Sequence, residues 1–149
     1  MSETDEKLIA CCGLHCGDCF AHKGKVADLA RDLRKELRDS RFDKVAAGLS
    51  KIPFFKEYKD YDKAYAVLGA MVRFRCRRAC SGGGGPPSCR MRSCSRKKGY
   101  EGCWDCGEFE DCAHQKEFAR SFHGDATLKN LRTIRKAGKK EFVKGKRNW

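Results

Sequence analysis

Cysteine most constrains what this chain can fold into, because eleven of its 149 residues are cysteine and they fall into two blocks. The first block comprises Cys11, Cys12, Cys16 and Cys19; the second comprises Cys76, Cys80, Cys89, Cys94, Cys103, Cys106 and Cys112. A long segment without cysteine separates them. Any fold for this chain must therefore account for two groups of thiols that are distant in sequence.

A small secreted disulfide protein is one explanation for so many cysteines, but the first residues argue against it. They are acidic and polar, where a secretory signal needs a basic patch followed by a long apolar stretch. The longest apolar run, Ala64 to Val72, is far shorter than the ~20 residues of a membrane-spanning helix. We therefore expect a cytoplasmic protein with no membrane partner, whose clustered cysteines bind metal rather than form disulfides.

The segment between the cysteine blocks has the periodicity of amphipathic helices. Apolar residues of the first stripe recur every three or four positions, with charged residues between them: Val26, Leu29, Ala30, Leu33 and Leu37. A second helix is expected to begin at Ser40 and end before Pro53, and a third stripe runs from Tyr61 to Val72. We expect these apolar stripes to be core.

The second cysteine block shows no clean period, and its run of four glycines and two prolines, residues 82–87, predicts a loop that acts as a spacer. Helix returns at about 117–123 and again from Leu128, closing at Gly138. The expected fold is mainly α, a small helical domain with irregular cysteine-rich metal-binding loops. One domain is predicted over residues 1–149, with a basic helical tail at about 125–149.

Two CxxC motifs carry the metal prediction, at Cys16 with Cys19 and at Cys103 with Cys106. This spacing lets two sulfurs face one ion across a tight turn. A redox dithiol is the less favoured interpretation, because no alternating strands and helices surround either motif. Cys12 extends the first motif to the spacing with which radical S-adenosylmethionine enzymes hold a four-iron cluster, although the chain is too short and too poor in strand patterns for their barrel.

Ten cysteines are predicted metal ligands, with Zn²⁺ as the expected metal and an iron–sulfur cluster as the alternative that spacing does not exclude. They are Cys12, Cys16, Cys19, Cys76, Cys80, Cys89, Cys94, Cys103, Cys106 and Cys112. Cys11 is the expected bystander, because adjacent side chains diverge and Cys12 has the register of the motif. For the first motif, Cys112 is the favoured fourth ligand, and His15 or His22 is the local substitute.

Both cysteine blocks resemble a family of prokaryotic proteins, domain of unknown function 3795. The segments that carry the resemblance are residues 12–19 (CGLHCGDC), residues 89–94 (CRMRSC), and the run from Lys98 through Cys103 and Cys106 to Phe109 and Cys112. Residues 130–135 with Gly138 and Trp149 also resemble a helical tail found in some members. The resemblance implies metal binding, with no activity attached.

Three functions are consistent with the sequence, and the leading one is a structural or interaction module built on zinc. Cysteine-saturated zinc has no open position for a reacting water, and no catalytic residues stand out, so an enzyme is not expected. An iron–sulfur protein for electron transfer or redox sensing is the second. The third is binding of nucleic acid or another polyanion, since the net charge is +13 and the tail is basic, with Phe142 and Trp149 available to stack on bases. A solvated helix face with Trp149 docked on the core is the favoured alternative for the tail.

Overall fold

The computed structural model describes residues 3–149, and the side chains from Asp5 onward. The fold is mainly α, as expected, and the described residues contain no strand, only an isolated antiparallel bridge between Ile9 and His15. The helices are α1 (Glu3–Glu6), α2 (Phe20–Lys23), α3 (Lys25–Asp39), α4 (Phe42–Leu49), α5 (Tyr61–Arg73), α6 (Arg90–Lys97), α7 (Ala113–Phe118) and α8 (Ala126–Lys144). Within residues 3–149, no helix is both long enough and apolar enough to cross a membrane.

The backbone forms two compact units, one made of residues 24–75 and the other of the segments on either side of it. The first unit holds α3, α4, a 3₁₀ helix at Pro53–Asp60 and α5, and the second holds all eleven cysteines. All eleven are free thiols. The expectation of one domain over residues 1–149 stays a prediction.

In the helical unit, α3, α4 and α5 confirm the three helices that periodicity predicted, but one boundary differs. Ser40 does not begin α4: its hydroxyl donates to the Glu36 carbonyl at 2.7 Å and thereby closes the end of α3. Arg41, with φ of 52°, makes the left-handed turn from which α4 starts. The side chain of Ser40 therefore satisfies a C-terminal carbonyl instead of the N–H groups of the next helix.

The expected burial of the first apolar stripe is wrong for its larger members. Val26, Leu29 and Leu33 are 42, 60 and 48% exposed, whereas Ala27 and Ala30 are each 4% exposed. Small residues let α3 and α5 approach closely: a Cβ at Gly69 of α5 would lie 3.2 Å from the Arg34 guanidinium. At this contact the Arg34 side chain lies over Gly69, and the larger aliphatic side chains of the stripe are exposed.

The cysteine-bearing unit has a conventional apolar core, built largely by α8. Its buried members are Ile9, Trp104, Phe109, Leu131, Ile134, Phe142 and Val143, with Cys103, Cys106 and Leu128 packed against them. A second buried cluster contains Ala10, Leu14, Met91 and Ala126 together with Cys12 and Cys16. Thiols therefore lie at the edges of both apolar clusters.

The tail does not stop at Gly138, where the sequence predicts closure. Gly138 has φ of 83° and breaks the helix, but α8 resumes and ends at Lys144. Beyond it, the side chain of the fully buried Asn130 accepts from the Asn148 backbone N–H at 2.9 Å and donates to the Asn148 carbonyl at 2.8 Å. Arg147 makes a two-pronged ion pair with Asp18, at 2.6 and 3.0 Å. The last residues are thus docked on their unit.

Candidate metal centre

A cavity of about 460 Å³ lies in the cysteine-bearing unit, with four thiols in its wall. They are Cys94, Cys103, Cys106 and Cys112. All four belong to the second cysteine block, and Cys103 and Cys106 share one turn. The chain therefore brings thiols separated by up to eighteen residues to one space.

Three short elements position these thiols. Cys94 projects from α6, and a 3₁₀ turn at Cys103–Asp105 sets the spacing to Cys106, whose N–H donates to the Cys103 carbonyl at 3.1 Å. A second turn at Phe109–Asp111 leads to Cys112, which immediately precedes α7. The CxxC turn is thus formed by backbone hydrogen bonding, as its spacing predicts.

Trp104, between the two cysteines of this CxxC, anchors the turn in the apolar core and is 8% exposed. A Cβ at Gly102 would clash with the Trp104 ring, so glycine is required for close approach. Asp105 accepts from the backbone N–H groups of Glu101 and Gly102, at 3.0 and 3.4 Å. Packing and capping thus hold the turn without regular secondary structure.

Gln115 is the least satisfied polar side chain in the cavity wall. It is 0% exposed, and neither its amide nitrogen nor its amide oxygen has a hydrogen-bond partner. Burial raises the pKa of the neighbouring Cys103 thiol to about 12, and the Gln115 amide acts on that pKa in the opposite direction. A buried amide beside a thiol is a ready N–H donor for a thiolate.

Lys98 supplies a positive charge at the same cavity. Its Nζ lies 3.9 Å from Cys106 Sγ, and thiolate charge at Cys106 and then at Cys94 raises the Lys98 pKa. Four soft sulfur donors, one amide and one ammonium suit a thiophilic metal centre whose thiolates carry excess negative charge. In residues 3–149 as they stand, no three His, Cys, Asp or Glu side chains are already grouped closely enough to hold an ion.

A second thiol group lies outside this cavity and joins the two cysteine blocks. The Cys80 backbone N–H donates to Cys16 Sγ at 3.2 Å, and the two thiols lie close enough to affect each other's pKa. This thiol contact lowers the pKa of Cys16 to about 7 and raises that of Cys80. Burial, and to a smaller extent the charge of Cys89, raises the pKa of Cys12 to about 12.

A family comparison fits this distribution of thiols. The family model described as "Protein of unknown function (DUF3795)" matches residues 8–117, well over half of the chain. The chain belongs to this family. Neither the search of curated proteins nor the search of solved structures gave a match. The DUF3795 match includes every cysteine of the chain and ends before α8 begins.

Three cysteines of this DUF3795 chain lie apart from the contacts described so far. Cys11 is buried, its carbonyl accepts the Cys103 N–H at 2.8 Å, and its thiol lies against Ser95. Cys19 closes its CxxC turn by donating to the Cys16 carbonyl at 3.1 Å. Cys76 is held by the Ala21 carbonyl and is close enough to Cys80 for its charge to raise that thiol's pKa.

The predicted fourth ligands of the first motif have other neighbours. Cys112 lies in the cavity wall with second-block thiols, a pairing that spacing along the chain did not reveal. His15 is 5% exposed and its Nε2 lies 3.2 Å from the Asp5 carbonyl oxygen. The buried Nδ1 atom of His22 has no hydrogen-bond partner within the described residues. Gln115 is the residue that sequence reasoning missed, because only its burial marks it.

Proposed function

We propose that this DUF3795 protein binds metal through cysteine thiolates, with one centre held by Cys94, Cys103, Cys106 and Cys112. Zinc is the proposed metal, and the centre is structural. The observation that carries this proposal is the convergence of four thiols and the orphaned Gln115 amide on one cavity. Thiolates are the ligands of closed structural zinc sites, and four of them complete a tetrahedral shell.

Metal would also account for how the loops around the cavity are ordered. Between α6 and α7 the chain has only two 3₁₀ turns of three residues each. Such irregular segments need support beyond backbone hydrogen bonds, and metal ligation contributes folding free energy directly. The proposed role is therefore an interaction module whose surface is shaped by its metal, without catalysis at the metal itself.

An iron–sulfur cluster is the second candidate, favoured by the size of the cavity. Sulfurs around a single zinc ion are only about 3.8 Å apart, if ~2.3 Å bonds radiate tetrahedrally. A cavity of about 460 Å³ has room for a group of several atoms, and cysteine-only ligation is usual for such clusters. This candidate carries an electron-transfer or redox-sensing role.

Binding of nucleic acid through the tail has less support than docking of the tail. Phe142 is 0% exposed, so it is not available to stack on bases. Arg132 is paired with Glu110 and Lys139 with Glu101, so these tail cations already have carboxylate partners. Trp149 packs edge-on against His123, with ring centroids 4.7 Å apart, but it is 43% exposed and not docked on the core. The burial of Phe142 and the ion pairs support the structural alternative for the rest of the tail.

The test is metal analysis of full-length protein purified without oxygen and with reductant. We expect tightly bound zinc by mass spectrometry of the elements, and loss of metal together with thermal stability on strong chelation. Cys103→Ser should lose one equivalent, whereas the control Cys11→Ser, at a thiol that is more buried than Cys103, should keep it. A brown protein with visible absorbance would decide for iron–sulfur, and a metal-free protein of unchanged stability would reject the proposal.

A further inference from the structure

Arg92 of α6 is a buried cation without a carboxylate partner among the described residues. It is 8% exposed, and its guanidinium donates to the carbonyls of Cys80 at 3.2 Å, Pro86 at 2.8 Å, and Gly84. Arginine is seldom buried unless its charge is compensated, because removing it from water is costly. Three neutral carbonyls satisfy its N–H groups but leave its full positive charge uncompensated.

The glycine-rich loop folds around one thiol, so its interpretation as a spacer is wrong. Gly85 has φ of 69°, and a Cβ there would lie 2.8 Å from Cys80 Sγ. A Cβ at Gly84 would clash with the Arg78 carbonyl. The loop therefore needs glycine both for its backbone conformation and for its approach to Cys80. Arg92 holds the carbonyls of this loop from the other side.

The sulfurs beside this loop have the environment of metal-bound thiolates. Cys16 accepts the Cys80 N–H, and neutral sulfur is a weak acceptor whereas an anionic acceptor makes a stronger bond. Cys89 is the residue before α6, so it lies at the N-terminal end of that helix. Cys12 and Cys16 are 9 and 4% exposed and pack in one buried cluster with Met91, and the partly buried Cys80, Cys89 and Cys103 pack against this cluster.

We propose that Cys12, Cys16, Cys80 and Cys89 form a second zinc site and that Arg92 is its counter-charge and positioning residue. This inference rests on the proposed function in taking metal as the partner of the thiolates. Four thiolates on one divalent ion carry a net charge of −2, which the buried guanidinium and the α6 N-terminus partly offset. Cys12 and Cys16 are buried beside apolar neighbours, whereas the cavity is lined by Lys98.

The experiment uses the full chain, purified anaerobically and loaded with Zn²⁺. We expect two equivalents in the wild type and one in Cys16→Ser, by elemental mass spectrometry. Arg92→Met should release one of its two zinc ions to a chromogenic chelator about 10–100-fold faster, since the 10–100-fold affinity usually lost with an outer-shell partner appears mainly in the off-rate. The matched control is Arg96→Met: Arg96 lies on the same helix and donates to the Ser81 carbonyl of the same loop, but is exposed. It should release zinc at the wild-type rate.

Each outcome separates this site from the cavity centre. If Cys16→Ser keeps two equivalents while Cys103→Ser loses one, the second site is rejected and the proposed function stands. If Cys16→Ser loses one equivalent while Cys103→Ser loses none, the cavity centre fails instead. A Cys16–Cys80 disulfide in metal-free protein purified anaerobically would replace the second site with a redox pair.

A charge-conserving variant keeps the counter-charge role testable if Arg92→Met does not fold. Arg92→Lys keeps the positive charge but lacks the planar fork that reaches several carbonyls. We expect Arg92→Lys to release zinc more slowly than Arg92→Met does, because the lysine keeps the compensating positive charge. Equal release from the two variants would overturn the counter-charge role and leave Arg92 as a brace of the loop.

Discussion

Gln115→Leu tests the observation that carries the proposed metal centre. Gln115 is 0% exposed with both amide atoms unpaired, and leucine matches its size without any polar atom. A buried polar group left unsatisfied costs about 1–3 kcal/mol. If the amide had no partner in the working protein, its replacement would therefore stabilise the fold by up to that amount.

The expected sign reverses when metal is bound. An amide N–H that donates to a metal-bound thiolate makes a hydrogen bond to a charged group, worth about 1.5–3 kcal/mol. Gln115 lies beside Cys103, the thiol whose pKa it affects. We therefore expect Gln115→Leu to bind zinc roughly 10–100-fold more weakly, the usual cost of losing an outer-shell contact.

The measurement is competition for zinc against a chelator of known affinity, under reducing and oxygen-free conditions, together with urea unfolding of the loaded protein. Thr127→Val is the matched control. Thr127 is also 0% exposed with an unpaired hydroxyl, but it lies on α8 and is not among the residues that line the cavity. Its replacement should leave zinc affinity unchanged and not lower stability.

Together the two variants test whether the Gln115 amide acts on the cavity thiols. If Gln115→Leu and Thr127→Val both raise the free energy of unfolding and both bind zinc as the wild type does, the Gln115 amide does not serve the thiols. The convergence of amide and thiols would then be packing, and the cavity would lose its strongest argument as a metal centre.

Three further predictions follow from particular contacts. Cys12→Ser should lose one metal equivalent and much stability, whereas Cys11→Ser should keep all metal, because the Cys11 thiol lies against Ser95. The opposite result would mean that Cys11, not Cys12, is the metal ligand. Deleting residues 128–149 removes fully buried core side chains, so the cooperative urea-unfolding transition should be lost. Unchanged stability would refute docking of the tail. Leu29→Ser should change the free energy of unfolding by at most about 0.5 kcal/mol, because Leu29 is 60% exposed, whereas Ala30→Leu should cost about 1–3 kcal/mol by overpacking.

The sequence predicted α3, α4 and α5 well because their signal is local, but it did not predict α6 inside the second cysteine block. The positions of α3 and α5 follow from apolar residues spaced three and four apart, and the 3₁₀ turn between Cys103 and Cys106 follows from the motif itself. Periodicity shows which face of a helix is apolar but not which neighbour covers it. Leu29 and Leu33 were therefore predicted to be core, although both are exposed.

The grouping of the thiols could not be predicted from the sequence, because it depends on contacts between distant segments. Cys16 meets Cys80 across 64 residues, and no spacing rule connects them. Cys112 could equally have completed the first motif, and only the turn at Phe109–Asp111 directs it to the cavity. Arg92 was unremarkable among 33 basic residues, since its importance comes from being buried.

The cysteine loops have two sources of support, the apolar core and the proposed metal. The family match ends at residue 117, yet α8 beyond it supplies Leu131 and Phe142, both 0% exposed, to the core that anchors Trp104. Packing on α8 holds the Cys103–Asp105 turn through Trp104, and Cys103 and Cys106 both contact this core and line the cavity. An apolar anchor determines where the turn lies but supplies no ligand that orients the sulfurs. Metal ligation at those sulfurs would fix their orientation, so the two supports act on different degrees of freedom and neither replaces the other.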